Sequence, residues 1–357
     1  MSRNARSNLA VTGLLAGMIG VMSFFTAGPV VAAANLFSTA TPARATVRVV
    51  VAQDSRAMRA FQTDDAVVRE MVARAVMALT DAAEPAAAWR TFVSPEDVVG
   101  LKVMAAPGAL GGTRPAVAGA VIEGLLSAGV PAANVVIWDK QWEALHAAGF
   151  VALAERLGVR VAGAAAAGYD PAVAYDTPLL GKLVWGDLEF GRTNAGVGRK
   201  SFVSKLVTRE LTKIINISPL LNHNHAGVAG QLYGLALGSV DNTWRFENDA
   251  TRLAEAVPEI YALPELGDRV VLNIVDALLC QYQGYQRVML HYSTVLNEIW
   301  MSRDPVALDV LSLEELARQR ERAGMPPGQS NQALYQNAAL LELGVADRRQ
   351  IDLRRLP

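Results

Sequence analysis

Apolar positions along this chain follow two alternating rhythms, short runs of strand character and longer stretches at helical period. Residues 46–53 form a Val-rich run that reads as the first strand. Over residues 64–82 apolar side chains recur every three to four positions, with acidic and basic residues on the outer face. The segment DVVGLKVMAAPGALGGTRPAVAGAVIEGLLSAGVPAANVVIWDK then reads strand, Gly-rich loop, helix, turn and strand, a βαβ unit. Pro115 fits a first helical position because its missing N–H would be unpaired there anyway, and Gly129 with Pro131 ends the helix. Three further strand-like runs follow, KIINIS (213–218), RVVLNIVDALL (269–279) and NEIWMS (297–302), separated by helical patterns. The last feeds Asp304-Pro305, an N-cap and first residue for a helix over 306–322. Residues 163–200 carry several Gly and no sustained period, which predicts a long excursion or small subdomain.

This alternation predicts an α/β fold: a mostly parallel, doubly wound sheet with helices on both faces, built as one domain over residues 46–357. The composition agrees, since 52% hydrophobic and only 19% charged residues suit strands buried on both sides. Residues 1–35 stand apart. Arg3 and Arg6 precede an uncharged apolar stretch over 9–31, then Ala32-Ala33-Ala34, the pattern of a secretory signal peptide. At roughly 20 residues the stretch is also long enough to remain as an N-terminal apolar helix anchoring the protein in a membrane. Either way the domain is expected outside the cytoplasm, periplasmic or membrane-anchored facing the periplasm.

Charge and cysteine content narrow the chemistry. A net charge of −1 without a Lys/Arg block gives nothing to neutralise a phosphate backbone, so nucleic acid is not expected as a partner. The single cysteine, Cys280, excludes an intrachain disulfide and leads us to expect no Fe–S cluster or Cys-ligated metal. No other cofactor is assigned. A Gly-x-Ser-x-Gly elbow and the kinase and metalloprotease signatures are lacking.

In a sheet of this kind ligands bind outside the carboxyl ends of the strands. Those ends carry the loop 105–114, Asp139, Asn222-His223-Asn224-His225, Asp276 and Asp304, which predicts five polar ends converging on one pocket. Thr113 and Arg114 open a helix after GALGG, where free N–H groups and a guanidinium favour an anion, although such a turn is often only structural. His223 and His225, two apart, can share a metal or act as acid and base, with Asp276 or Asp139 completing a two-His-one-carboxylate set. The plainer alternative is that the two histidines cap backbone groups of their loop. Lys102 lies inside a strand from which its stem can cross to the cleft or reach solvent. Asn224, Asn242 and Arg245 are further ligand-binding candidates, the last two in a polar turn with Asp241.

The segments GLKVMAAPGALGGTRP, VVIWDK with ALHAAGF, KIINISPLLNHNHAGVAGQLYGLALGSVDNTWRFEND, LNIVDALL and IWMSRDPVALD, spread over residues 47–322, resemble the bacterial family called domain of unknown function 362. The resemblance implies an α/β fold and often an exported location, with no established biochemical role; this chain is a divergent member without the cysteine motifs of some others. Where similar sequences usually show Lys before the central loop and Thr then Lys-Asn after it, this chain has Leu221, Ala229 and Tyr233-Gly234. Two expectations follow. One is an envelope domain binding a small anionic molecule, His223, His225 and Asp276 being its catalytic candidates if it is an enzyme. The other is a catalytically degenerate, membrane-anchored accessory subunit whose partners are the subunits of a larger membrane complex.

Overall fold

The computed structural model describes residues 46–178, 182–284 and 287–356. Strand β1 (Val47–Gln53) leads through a small hairpin, β2 (Met58–Arg59) and β3 (Gln62–Thr63), into helix α1 (Asp65–Thr80). Helix α2 (Pro85–Trp89) precedes β4 (Val99–Val103); the Gly-rich loop then holds the one-turn helix α3 (Gly108–Gly111) before α4 (Pro115–Ala128) and β5 (Val135–Asp139). Helices α5 (Trp142–Ala147) and α6 (Phe150–Leu157) lead to β6 (Arg160–Gly163). A separate antiparallel ribbon, β7 (Tyr169–Asp176) with β8 (Lys200–Ser204), starts within the predicted excursion and closes it. Strand β9 (Lys213–His223) folds back as β10 (Gly227–Val228) and is followed by α7 (Gln231–Ser239), α8 (Ala250–Tyr261) and β11 (Val270–Gln281). The chain continues with β12 (Ser293–Ser302), α9 (Pro305–Arg322), α10 (Gln332–Leu340) and β13 (Ile351–Leu356).

The main sheet runs β13-β1-β12-β11-β9-β4-β5-β6. Its pairs are parallel except those of β12, which lies antiparallel between β1 and β11, and the short return β10 against β9. Successive side chains point to opposite faces. Val49, Val51, Ile214 and Trp300 therefore meet helices α7, α8, α9 and α10, whereas Val50, Ala52, Ile215 and Ile299 meet α1, α2, α4 and α6. The mixed, mostly parallel sheet with helices is thus an α/β fold, as expected.

Local signals set the element ends. The Asp64 carboxylate accepts N–H bonds from Ala66 and Val67 and starts α1. Asp304 Oδ1 accepts from Ala307 N at 2.8 Å, the expected cap of α9, and its Oδ2 accepts from Val345 N at 2.8 Å, tying that helix to the approach to β13. Strand β9 runs five residues beyond the predicted 213–218 because Pro219 does not stop it. Pro219 lies opposite Asp276, where β11 shifts register before Cys280 pairs with Leu220, so the missing N–H falls where the ladder is already broken. The expected signal peptide or anchor, residues 1–35, lies outside the described residues. Among the described residues, no helix is long and apolar enough to cross a membrane.

Candidate functional site

The predicted site residues settle into separate groups. Lys102 points to the α7 face of the sheet, where it is 2% exposed; its ammonium lies 2.9 Å from Asp139 Oδ1, bonds to Val103 O at 2.8 Å and sits 5.6 Å from the centre of the Trp138 ring. Of the two expected courses it takes the one to a cleft, whose lining it joins, rather than the one to solvent. Room for it depends on α7: a Cβ on Gly238 would come within 2.3 Å of Lys102 Cε. Asp139 in turn accepts from Ala105 N and Lys140 N, each at 2.8 Å, and so joins the end of β5 to the loop after β4.

Arg114 is on the opposite face. The start of α4 does hold an anion, but that anion is the protein's own Asp276, whose Oδ2 accepts Arg114 N at 2.8 Å and whose Oδ1 lies 2.9 Å from Nη1. Asp276 is wholly buried in β11, and its third bond, from Leu278 N at 3.3 Å, adds a second backbone donor. Thr113 bridges strands instead of facing a ligand, accepting from Met104 N and donating to Ile217 O at 2.7 Å. The expected anion site is therefore an internal joint.

The two histidines do not share a metal with Asp276. His223 is buried at the end of β9, and its Nδ1 accepts N–H bonds from His225 at 3.1 Å and Ala226 at 3.0 Å, the backbone-capping role. Its ring packs against that of Tyr233, centroids 4.1 Å apart and planes tilted by 44°, and lies 6.2 Å from that of His225. Burial, helped by the neighbouring His225, pulls the His223 pKa down to about 3, so it stays neutral across ordinary pH. Among the described residues no group of three or more His, Cys, Asp or Glu side chains is arranged to hold a metal ion, since Asp276 is committed to Arg114. His223 and Asn224 line a cleft with Tyr282 and Arg320, whereas Arg114 lines another with Phe61 and Arg156. One shared pocket is thus replaced by several.

Asn242 and Arg245 hold the ribbon. Asn242 accepts from Trp185 N and donates to Lys200 O, each at 3.0 Å; Arg245 donates to Thr177 O at 3.0 Å and Ser201 Oγ at 2.8 Å and lies over the rings of Tyr175 and Phe246. Cys280 is wholly buried, and burial pushes its thiol pKa up.

The arrangement best suited to a ligand was not singled out in the sequence. Beyond the end of β5 a cleft of ≈ 570 Å³ is walled by Lys140, Tyr169, Trp185, Asp187, Asp241 and Glu247, among others, and the adjoining cleft that shares Lys140 and Glu247 reaches Lys102, Asp139 and Tyr233. Lys140 Nζ lies 3.4 Å from Thr243 Oγ1, which donates to Glu247 Oε2 at 2.6 Å. Burial holds the Lys140 ammonium below the usual lysine range, against the pull of Glu247 and Asp241. Burial also raises Asp241 to about 6, although its Oδ1 accepts from Phe202 N at 2.6 Å. A lysine and a carboxyl whose pKa values are drawn towards each other provide an acid and a base in one cleft. Two sequence signals marked the place: a charged Asp139-Lys140 step ending a wholly apolar strand, and aromatic residues interleaved with acids in WGDLEF and DNTWRFE.

Comparison with known proteins adds the family. A crystal structure of a Thermotoga maritima protein is similar at 10% identity and a TM-score of 0.40, over 75% of this chain and 61% of that one, so the chain spans less than two thirds of that protein. No curated protein matches. The family model described as Domain of unknown function (DUF362) matches residues 99–314, which include β4, the Arg114 joint, Lys140, the histidine loop and the start of α9, and the chain therefore belongs to the DUF362 family.

Proposed function

We propose that this chain is a small-molecule-binding domain of the cell envelope, and that its ligand seats in the cleft beyond β5 rather than at Arg114. The observation that carries this reading is Lys140: a half-buried ammonium with a depressed pKa, beside Asp241 and Glu247, at the carboxyl end of a strand in a mostly parallel sheet. A lysine so placed can donate to a ligand oxygen or, unprotonated, accept a proton. The envelope location rests on the apolar N-terminal segment. The test is a thermal-shift panel of metabolites on the full chain, followed by Lys140→Ala. A ligand at 100 times its Kd stabilises by about 2.7 kcal/mol; in the variant the melting rise should be lost for a ligand that takes a bond from the ammonium and enlarged for a cation that the ammonium repels. A panel giving no rise, or rises unchanged by the substitution, rules the reading out.

A second reading, a membrane-anchored accessory subunit, is favoured by one observation. Leu221 and Ala229, at positions where relatives are expected to carry polar groups, are wholly buried in the core, and Tyr233 fills the space against His223. Copurification of stoichiometric membrane-complex subunits with the full chain from native membranes supports it; recovery of the chain alone, in the soluble envelope fraction, opposes it.

A further inference from the structure

Three aromatic side chains stand at the mouth of the Lys140 cleft, Trp185 at 64%, Phe190 at 69% and Trp244 at 50% exposure. Large exposed apolar side chains normally occur singly. Here they touch: Trp185 and Phe190 have ring centroids 6.0 Å apart with planes at 78°, and Trp185 and Trp244 lie 5.8 Å apart at 52°. Such steep angles turn the ring faces into the walls of a corner, unlike the single plane on which a flat ring would stack. Among the residues lining the same cleft, the carboxyl groups of Asp187, Asp241 and Glu247 outnumber the one ammonium, Lys140.

The corner is also held in place. Trp185 N donates to Asn242 Oδ1 at 3.0 Å, and Gly186 passes so close to Asp241 that an added Cβ would sit 2.6 Å from its Oδ2. Walls fixed before a ligand arrives lose little freedom on binding. An anion would meet excess negative charge here, and a neutral apolar group would desolvate carboxylates without supplying a counter-charge. A cation gains from both the ring faces and the carboxylates. We propose, resting on the reading of this cleft as a ligand site, that its ligand is an organic cation: a substituted ammonium group whose alkyl substituents contact Trp185, Phe190 and Trp244 and whose charge is balanced by Asp187 and Glu247.

The experiment uses the full chain and three probes: choline, its neutral carbon isostere 3,3-dimethylbutan-1-ol, and succinate, followed by tryptophan fluorescence and calorimetry. Choline should bind saturably and the isostere roughly tenfold more weakly or worse. Trp185→Ala and Asp187→Asn, both at exposed side chains and expected to keep the parent melting temperature, should each weaken choline by roughly tenfold. Equal binding of choline and the isostere, or a preference for succinate, overturns the cation assignment while the small-molecule reading stands. Absence of saturable binding by all three overturns the cation assignment as well, and the Lys140-dependent metabolite panel then judges the broader reading on its own.

Discussion

The Arg114–Asp276 joint shows how a buried charge is tolerated: each partner is nearly inaccessible, and the carboxylate collects two backbone donors as well as the guanidinium. Replacing Asp276 with Ala leaves Arg114 buried without its counter-charge, which should cost about 3–5 kcal/mol in urea unfolding. His223 offers a second measurement. Its unfolded pKa lies near 6.5 and its folded value near 3, so between these the unfolded chain binds a proton that the folded protein does not. Its contribution is thus fully present above about pH 6.5 and declines as the pH falls towards 3. His223→Ala removes the acceptor of two N–H groups and should cost about 1–3 kcal/mol near neutral pH, with the gap to the parent narrowing below about pH 6.5. Asp309 works in the opposite sense. Burial raises its pKa from 3.8 to about 7, so its protonated form favours folding at low pH and that contribution fades as pH rises through this window. Parent and variant must be compared at each pH for the histidine effect to stand clear of it. Of these roles, the backbone cap at His223 was one of two readings the sequence offered, whereas for Arg114, Asp276 and Asp309 only the residue type was legible. That Arg114 would find Asp276 depended on the start of α4 meeting the middle of β11, where the sequence had placed a strand end, and no local pattern specifies that meeting.

At the scale of elements the sequence was more informative. The strand at β1, the βαβ unit from β4 to β5 and the Asp304-capped α9 were legible because apolar period and cap residues are local signals. The end of β9 was not, because Pro219 signals a stop unless the partner strand shifts register beside it. Nor was the cleft: its aromatic and acidic residues come from the segment before β8 and the turn after α7, brought together by Asn242 and Arg245. Helix α7 offers a direct test of packing between elements. Gly238→Ala places a methyl group against the Lys102 stem and should cost about 1–3 kcal/mol, with disturbance of the Lys102–Asp139 pair, as seen by chemical denaturation and by crystallography of the variant.

Across the whole molecule, stability is unevenly distributed. Strands β9 and β11 are buried along almost their full length, whereas residues 182–199 carry many exposed positions around the aromatic corner. Amide hydrogen exchange should therefore be slowest in β9 and β11 and faster over residues 182–199, with saturating ligand slowing the latter. The reverse order would contradict the assignment of the sheet as the rigid frame. One pairing in that frame governs timing. Strand β1 is held on one side by β12 and on the other by β13, in parallel register from Val47 with Ile351 to Ala52 with Leu356. A ribosome delivers β1 early and both of its neighbours last, so its edges stay open through most of synthesis, and pairings this distant in sequence form slowly. Until β13 emerges the nascent chain therefore presents an unpaired β1 edge, the kind of surface that chaperones cover, and if it crosses a membrane unfolded, that same delay keeps it threadable.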